Sequence, residues 1–352
     1  MFQPSSQTRA LLDALERAIE PAVEDDFRDQ WTTFLDGNFT GDIFTPVRKM
    51  LPCMDVALPS ININDAVSDY DLMLQAQLVV ALDAIGKSNR IPAVRANYGT
   101  GILSSLFGAE IFIMPYENNT LPTTRAFNDT ERMRALLDGG MPDLTRGFGR
   151  QVLEMGEIFA EVFSQYPNIQ KYVPVYHPDL QGALDIAELL WGGEMFYAMY
   201  DEPELVHDVL SLITDTYVAF MEKWNTINAP SKDMNTHWNN FFHRGTLVLR
   251  NDSAMNLSPD LYEEFSVPYD TRLFAHFGGG VMHFCGRGDH YVEALCKIPG
   301  LYGINMSQPQ YNDMEKIYRA TVDAGIPIFA FNGTRAREDA GRTGGFHHLL
   351  HS

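Results

Sequence analysis

The residues best suited to chemistry lie in Gly280-Val281-Met282-His283-Phe284-Cys285-Gly286. His283 and Cys285 stand two apart at the end of a run that reads as a strand, so both side chains leave one face. Their Cα atoms would sit about 6.5 Å apart. Bonds of about 2.0 Å from an imidazole nitrogen and 2.3 Å from a thiolate sulfur let such a pair converge on one zinc ion. Gly286 lets the backbone turn sharply straight afterwards. A zinc there would hold Cys285 as a thiolate and would activate a thiol substrate at an open coordination position. The same spacing also suits a plainer arrangement, with Cys285 as a small buried apolar residue and His283 as its hydrogen-bonded neighbour.

A zinc site needs a third protein donor. Cys296 follows Tyr291 and Leu295 on a helical pattern and reads as a packed core thiol, and Cys53 follows Pro52 in a loop. The C-terminal stretch Gly344-Gly345-Phe346-His347-His348-Leu349-Leu350-His351-Ser352 is rich in histidine. Folded back over the site, it would offer His351, or alternatively His347; as a solvated tail it would offer neither. Other candidates follow strand-like runs. Arg95 and Tyr98 come after one, and Tyr176, Asp179 and Gln181 surround the end of another. Arg250 and Asp252 end a third, and Asn305 ends a fourth. Asp252 is placed to orient a histidine or bind a substrate nitrogen, and the others to hold substrate polar groups. Each type also serves simply to stabilise loops. His207 and His276 fall on helices and read as structural. No phosphate loop is present: Gly99-Thr100-Gly101 lacks the Lys-Ser/Thr sequel, and Gly278-Gly279-Gly280 precedes a strand. No nucleophile-elbow pattern occurs.

The elements that would position these residues alternate. Strands are expected at Ile91–Asn97, Glu110–Met114, Tyr172–Tyr176, Thr246–Leu249, Gly280–Phe284, Tyr302–Asn305 and Ile328–Phe331. Several have successive apolar residues, as parallel strands covered on both faces do. Between them run amphipathic segments. Leu205, Val209, Leu212, Ile213, Val218 and Met221 form a stripe after the start signal Asp201-Glu202-Pro203. Ser258-Pro259-Asp260 supplies a cap, an N1 proline and a first-turn acid, with a kink expected at Pro268. The segment from Met314 should end at Gly325, with Ile326-Pro327 leading into the next strand. The first 35 or so residues read as helix through Leu11, Leu12, Leu15, Ile19 and Val23. This alternation predicts an α/β fold, a (β/α)8 TIM-type barrel first and a doubly wound sheet second. Residues 1–60 would form an N-terminal helical extension packed on a barrel of residues 61–352. The site would lie where strands end and βα loops begin.

Composition narrows the function. The 352 residues are 45% hydrophobic and 20% charged, with 26 Lys plus Arg against 46 Asp plus Glu and a net charge of −20. An acidic surface argues against nucleic acid or anionic membranes as partners. Three cysteines make no disulfide framework, and no apolar run approaches the roughly 18 residues of a membrane span. A cytoplasmic protein acting on a small molecule is expected.

With these residues in view, His283-Phe284-Cys285-Gly286 resembles the His-x-Cys-Gly element of the uroporphyrinogen decarboxylase superfamily, in the branch of zinc-dependent corrinoid methyltransferases. Asp179-Leu180-Gln181-Gly182 through Asp201-Glu202-Pro203-Glu204-Leu205-Val206-His207 resembles another family segment. Arg250-Asn251-Asp252-Ser253, with Leu257-Ser258-Pro259 and Tyr262-Glu263-Glu264-Phe265, is similar to the strand–loop–helix before the His-x-Cys strand. Gly344-Gly345 matches a Gly-Gly before the last barrel loop. The likeness covers about residues 90 to 352. It implies a (β/α)8 barrel, and zinc held by His283, Cys285 and a later cysteine, which is absent here and whose place His351 or His347 would take. It also implies a methyl group moved between a thiol and a corrinoid on a separate protein, since no cobalamin-binding segment is present. The decarboxylase branch implies metal-free decarboxylation of a porphyrinogen or smaller acid, but its arginine-bearing N-terminal element is missing around Thr45–Met50. A barrel that binds a tetrapyrrole or metal without turnover is the third reading.

Overall fold

A computed structural model of the chain describes residues 2–53, 55–342 and 345–352; Gly344 lies outside them. The architecture is mixed α/β. Leu247–Arg250 pairs in parallel with Gly280–Phe284, which pairs in parallel with Leu301–Met306. Single parallel bridges continue the arc from Ile304 to Ile328 and from Ile328 to Leu350, and Leu350–His351 pairs with Ile43–Phe44. A separate parallel bridge joins Val94 to Val175. Backbone pairing does not close this set into a ring among the described residues. Side chains join the parts: His177 Nε2 accepts the Val248 N–H at 3.0 Å, and the Asn239 amide donates to the Ile91 and Ala93 carbonyls at 2.6 and 3.0 Å.

Four expected strands therefore differ. Ile91–Asn97 and Ile328–Phe331 are extended but make single bridges, and Tyr172–Tyr176 begins as the last turn of the helix Pro167–Tyr172. Glu110–Phe112 belongs to an antiparallel hairpin with Thr123–Arg125, so it is no part of the parallel set. Its residues are partly exposed, which leaves it uncovered where a parallel strand would be buried on both faces. A second hairpin, Asn235–His237 with Phe241–His243, was not signalled by the sequence, because Trp238-Asn239-Asn240 offers no glycine turn.

Alternation along the strands sorts the core. Val248, Val281 and Phe329 join Ile91, Ala93, Tyr176, Phe44 and Phe241 in an inner cluster, while Leu247, Leu249, Met282, Phe284 and Ile304 face the helices. The same parity points Arg95, Arg250, His283 and Asn305 inward at the C-terminal ends of their segments. Gly303 belongs to this inner face, where a Cβ would come within 2.3 Å of the Phe329 ring.

The helices follow their signals closely. Pro203–Ile227 carries the predicted stripe, and Ser258 accepts from Leu261 N at 3.3 Å to cap Pro259–Phe265. The break falls at Ser266, two residues before Pro268, and Val267–Phe277 follows. Met314–Ala320 passes into a 3₁₀ turn that ends at Gly325 with φ +87°. The N-terminal helix is two helices, Ser6–Ala18 and Pro21–Leu35, because Pro21 cannot continue the first. The second pushes Phe27, Trp31 and Phe34 into the inner cluster.

His351 belongs to this floor and not to a metal site. Its Nδ1 accepts the Ala330 N–H at 2.9 Å, and its ring packs 4.5 Å from Trp31, so its side chain is spent on packing and on the Ala330 backbone. His347 is exposed and lies 3.1 Å from Asp323 Oδ1. Burial pushes the His351 pKa from 6.5 down to about 3. The unfolded chain binds this proton near pH 6.5 and the folded chain does not, so acid costs the fold stability. As pH falls from about 6.5 towards 4, His351→Phe should gain on the wild type by up to about 1.4 kcal/mol per pH unit, read from urea midpoints. Parallel curves would contradict a neutral buried His351.

Candidate metal centre

Parallel registry puts Arg250 beside His283 and His283 beside Asn305, so the three side chains form one inward layer. Asn305 Nδ2 donates to the Phe329 carbonyl at 2.8 Å, which fixes its amide so that Oδ1 faces His283 Nδ1 at 2.6 Å. The carbonyl oxygen only accepts, so Nδ1 carries the hydrogen and Nε2 keeps a lone pair. That lone pair lies 3.4 Å from Cys285 Sγ and 3.6 Å from Asp252 Oδ1. Burial lowers the His283 pKa, which keeps the ring neutral and able to bind a metal. Asn305, expected to hold substrate, lines the cavity at His283 and uses both ends of its amide to orient the histidine.

Asp252, His283 and Cys285 bring ligand-capable atoms within 4.8 Å of one another. Asp252 opens the 3₁₀ turn Asp252–Asn256, and its Oδ1 also accepts the Cys285 N–H at 2.7 Å. The turn is held by Asp185, a buried carboxylate on the helix Ala183–Trp191 that accepts the N–H groups of Asp252 and Ser253 at 3.0 and 2.8 Å. Burial, and then the Asp252 charge, push the Asp185 pKa up to about 7. Burial likewise raises the Cys285 thiol, so without a cation it stays protonated. Gly286 turns with φ +75°, where a Cβ would strike Met255 Sδ at 2.6 Å. Donor separations of 3.4 and 3.6 Å match the edge of a zinc tetrahedron, about 3.4 Å for bonds of about 2.0–2.3 Å.

Beside this triad lies a buried charge cluster. Asp179 is 3.3 Å from Arg95 Nη1 and 2.8 Å from Arg250 Nη1, the latter an ion pair too poorly aligned for a hydrogen bond. Gln181 also donates to Asp179. Arg250 Nη2 donates to His237 Nε2 at 2.7 Å, so the His237 hydrogen sits on Nδ1, where it finds no partner. Burial, and then Arg250, hold His237 neutral. Trp238 has φ +52°, and its indole packs 5.2 Å from His283, with the Arg250 guanidinium 5.0 Å above it. Tyr176 lies beneath Arg95 and edge-on to His237, whereas Tyr98 is in the main core against Phe148. Cys53 is exposed, and burial pushes the half-buried Cys296 thiol up to about 12. Asp185, His237 and Trp238 were missed in the sequence, since Asp185 lies inside a helix and the hairpin carrying the other two has no glycine turn to signal it.

Two cavities flank the triad. One of about 520 Å³ reaches His283 between Trp238, Asn305, Ser307 and Asn332. The other, about 390 Å³, reaches Asp252 from the side of Gln181, Asp185 and Glu188. A third, about 510 Å³, opens at the strands' N-terminal side near Thr246 and Arg28, away from the triad.

No family model matches the chain, and no curated protein matches it in sequence. Among solved structures it is similar to a methyltransferase from Methanosarcina mazei, at 15% identity and a TM-score of 0.60, over 93% of this chain and 92% of that one. The two chains share a fold.

The tautomer is directly testable. In ¹⁵N-correlated spectra of the metal-free chain, His283 should show the Nδ1–H pattern. Asn305→Leu should shift it towards Nε2–H, and an unchanged pattern would mean that Asn305 does not set it.

Proposed function

We propose that the chain is a methyltransferase of the uroporphyrinogen decarboxylase superfamily, and that Asp252, His283 and Cys285 hold a zinc ion. The observation that carries this reading is the convergence of three donors, with His283 Nε2 left unprotonated. In it, the arc of parallel strands and the Val94–Val175 pair are the strands of a (β/α)8 barrel, with residues 61–352 as the barrel. Residues 1–60 pack on it and lend it Ile43–Phe44.

Zinc in this site would supply a Lewis acid that makes a bound thiol a thiolate near neutral pH. The protein's own groups do the rest. His283, fixed by Asn305, and Cys285, fixed through its N–H by Asp252, set the direction in which a substrate sulfur must approach. Asp252 is 42% exposed, which leaves that side of the triad open to a small molecule. The substrate thiol would lose its proton to solvent on the exposed side of Asp252, and its sulfur would then bond to a methyl carbon whose bond to the cobalt of a corrinoid on a separate protein would break with the electron pair staying on cobalt. Near-attack alignment is the main contribution of the pocket. Decarboxylation of a polycarboxylate is less well supported, because Arg95 and Arg250 already share Asp179 and are buried.

Protein purified without an affinity tag should contain about one zinc per chain. Cys285→Ser should lose it, and Asn305→Leu should weaken it by about 10–100-fold. Absence of metal from wild type refolded with zinc would overturn the reading. The wild type should also transfer methyl from methylcobalamin to a thiol, and chelator should abolish this.

A further inference from the structure

The cavity of about 510 Å³ on the strands' N-terminal side opens where two extended segments part. Val94 pairs with Val175 through the Pro174 carbonyl and the Tyr176 N–H, at 3.1 and 3.0 Å. Successive residues of a strand turn their N–H groups to opposite sides. The Val175 N–H therefore faces the other way, across the seam to Thr246, two residues before His177 meets the Val248 N–H. Among the described residues it makes no hydrogen bond. Val175 is half-buried and lines the cavity, so this donor is free to take a ligand's oxygen.

The second observation is a guanidinium without a counter-ion. Arg28, on the helix Pro21–Leu35, lines the same cavity and is held 5.1 Å from the Tyr172 ring and 5.9 Å from the Phe242 ring. Its one hydrogen bond among the described residues goes to the Lys171 carbonyl at 3.1 Å. Lys171 is itself paired with Asp25 at 3.3 Å. Among the described residues Arg28 has no such pair, and no Asp or Glu lines the cavity. In a chain with 46 acidic against 26 basic residues, an acid-free wall around an arginine is the exception. Burial lowers the Arg28 pKa in spite of Glu24 and Asp25 nearby, so its charge is incompletely compensated.

We propose that this cavity binds a small carboxylate with an apolar body, the carboxylate on Arg28 and the body against Phe159, Phe163 and Trp224. One free guanidinium suits a single negative charge, and the rings that flank it hold it ready. A phosphate ester would find no second free cation, and a metal ion would find no carboxylate. The volume is that of an ordinary small-molecule pocket. The site lies away from the triad and does not rest on the zinc reading. Its occupant also meets Tyr176 and His177, the first of which lies beneath Arg95 and the second of which holds the seam.

Calorimetric titration of the chain with 3-phenylpropionate should show saturable binding. The uncharged 3-phenylpropanol and the cationic 3-phenylpropylamine should bind at least about tenfold more weakly, as the loss of one charge-assisted hydrogen bond implies. Arg28→Gln should weaken the carboxylate by a similar factor and leave the alcohol unchanged. Ala160→Trp, made at an exposed helical position on the cavity wall, should abolish binding of both. Thermal unfolding checks that both variants fold, and either one alone carries the comparison. Cys285→Ser should bind the carboxylate as the wild type does, because no metal takes part. No saturable binding, equal binding of the alcohol or the amine, or indifference to both variants would overturn the proposal. Loss of binding in Cys285→Ser would also overturn it, by placing the carboxylate at the triad. None of these results alters the zinc measurement.

Discussion

The hydrogen bond from His283 Nδ1 to the Asn305 carboxamide oxygen, at 2.6 Å, is the constraint on which the site depends. The amide is pinned in turn by the Phe329 carbonyl at 2.8 Å. Asn305 sits on the neighbouring strand, and Phe329 on the segment beyond it. The tautomer of one imidazole is therefore written into the lateral order of three parallel segments. A slip of one residue in either pairing would turn Asn305 to the helix-facing side. Register, more than any single side chain, makes the lone pair available.

Charge around that layer is balanced tightly. Two buried guanidiniums share one carboxylate, which leaves an excess positive charge next to His237 and His283. Neutral histidines absorb the hydrogen bonds without adding charge, and burial lowers the pKa of His177, His237 and His243. On the far side of Asp252 the sign reverses, with Asp185 and Glu188 behind the 3₁₀ turn. The triad thus lies on a boundary between a cationic interior and an acidic cavity.

Much of this was legible in the sequence where local rules dominate. The strand Gly280–Phe284, the Ser258 cap and the Gly325 stop are short-range signals, and they fall where expected. His283, Cys285 and Asp252 were singled out by their place at strand ends. Two kinds of feature were not legible. Ile91–Asn97 and Ile328–Phe331 have strand composition, but their pairing depends on neighbours distant in sequence. The third donor was expected among the C-terminal histidines because His351 and His347 stand near the place where the resembled family has a later cysteine. Asp252 comes forward instead because Asp185, dozens of residues away, grips its turn by two backbone N–H groups. Asn305 looked like a pocket residue, and only the Phe329 carbonyl reveals its other duty.

The joins at His177 and Asn239 have a consequence for how this architecture can vary. Within the arc, neighbouring strands are locked by repeated backbone bonds, so their spacing is set by the peptide itself. At the His177 seam it is set by the length of a single imidazole side chain, whereas at Asn239 a backbone bond from the Ile91 N–H at 3.0 Å accompanies the side chain. A substitution at His177 alters the girth of the inner cluster without disturbing the paired strands that hold the triad. Chambers of different width, and so substrates of different bulk, are accessible to related chains through a change of one residue at a seam.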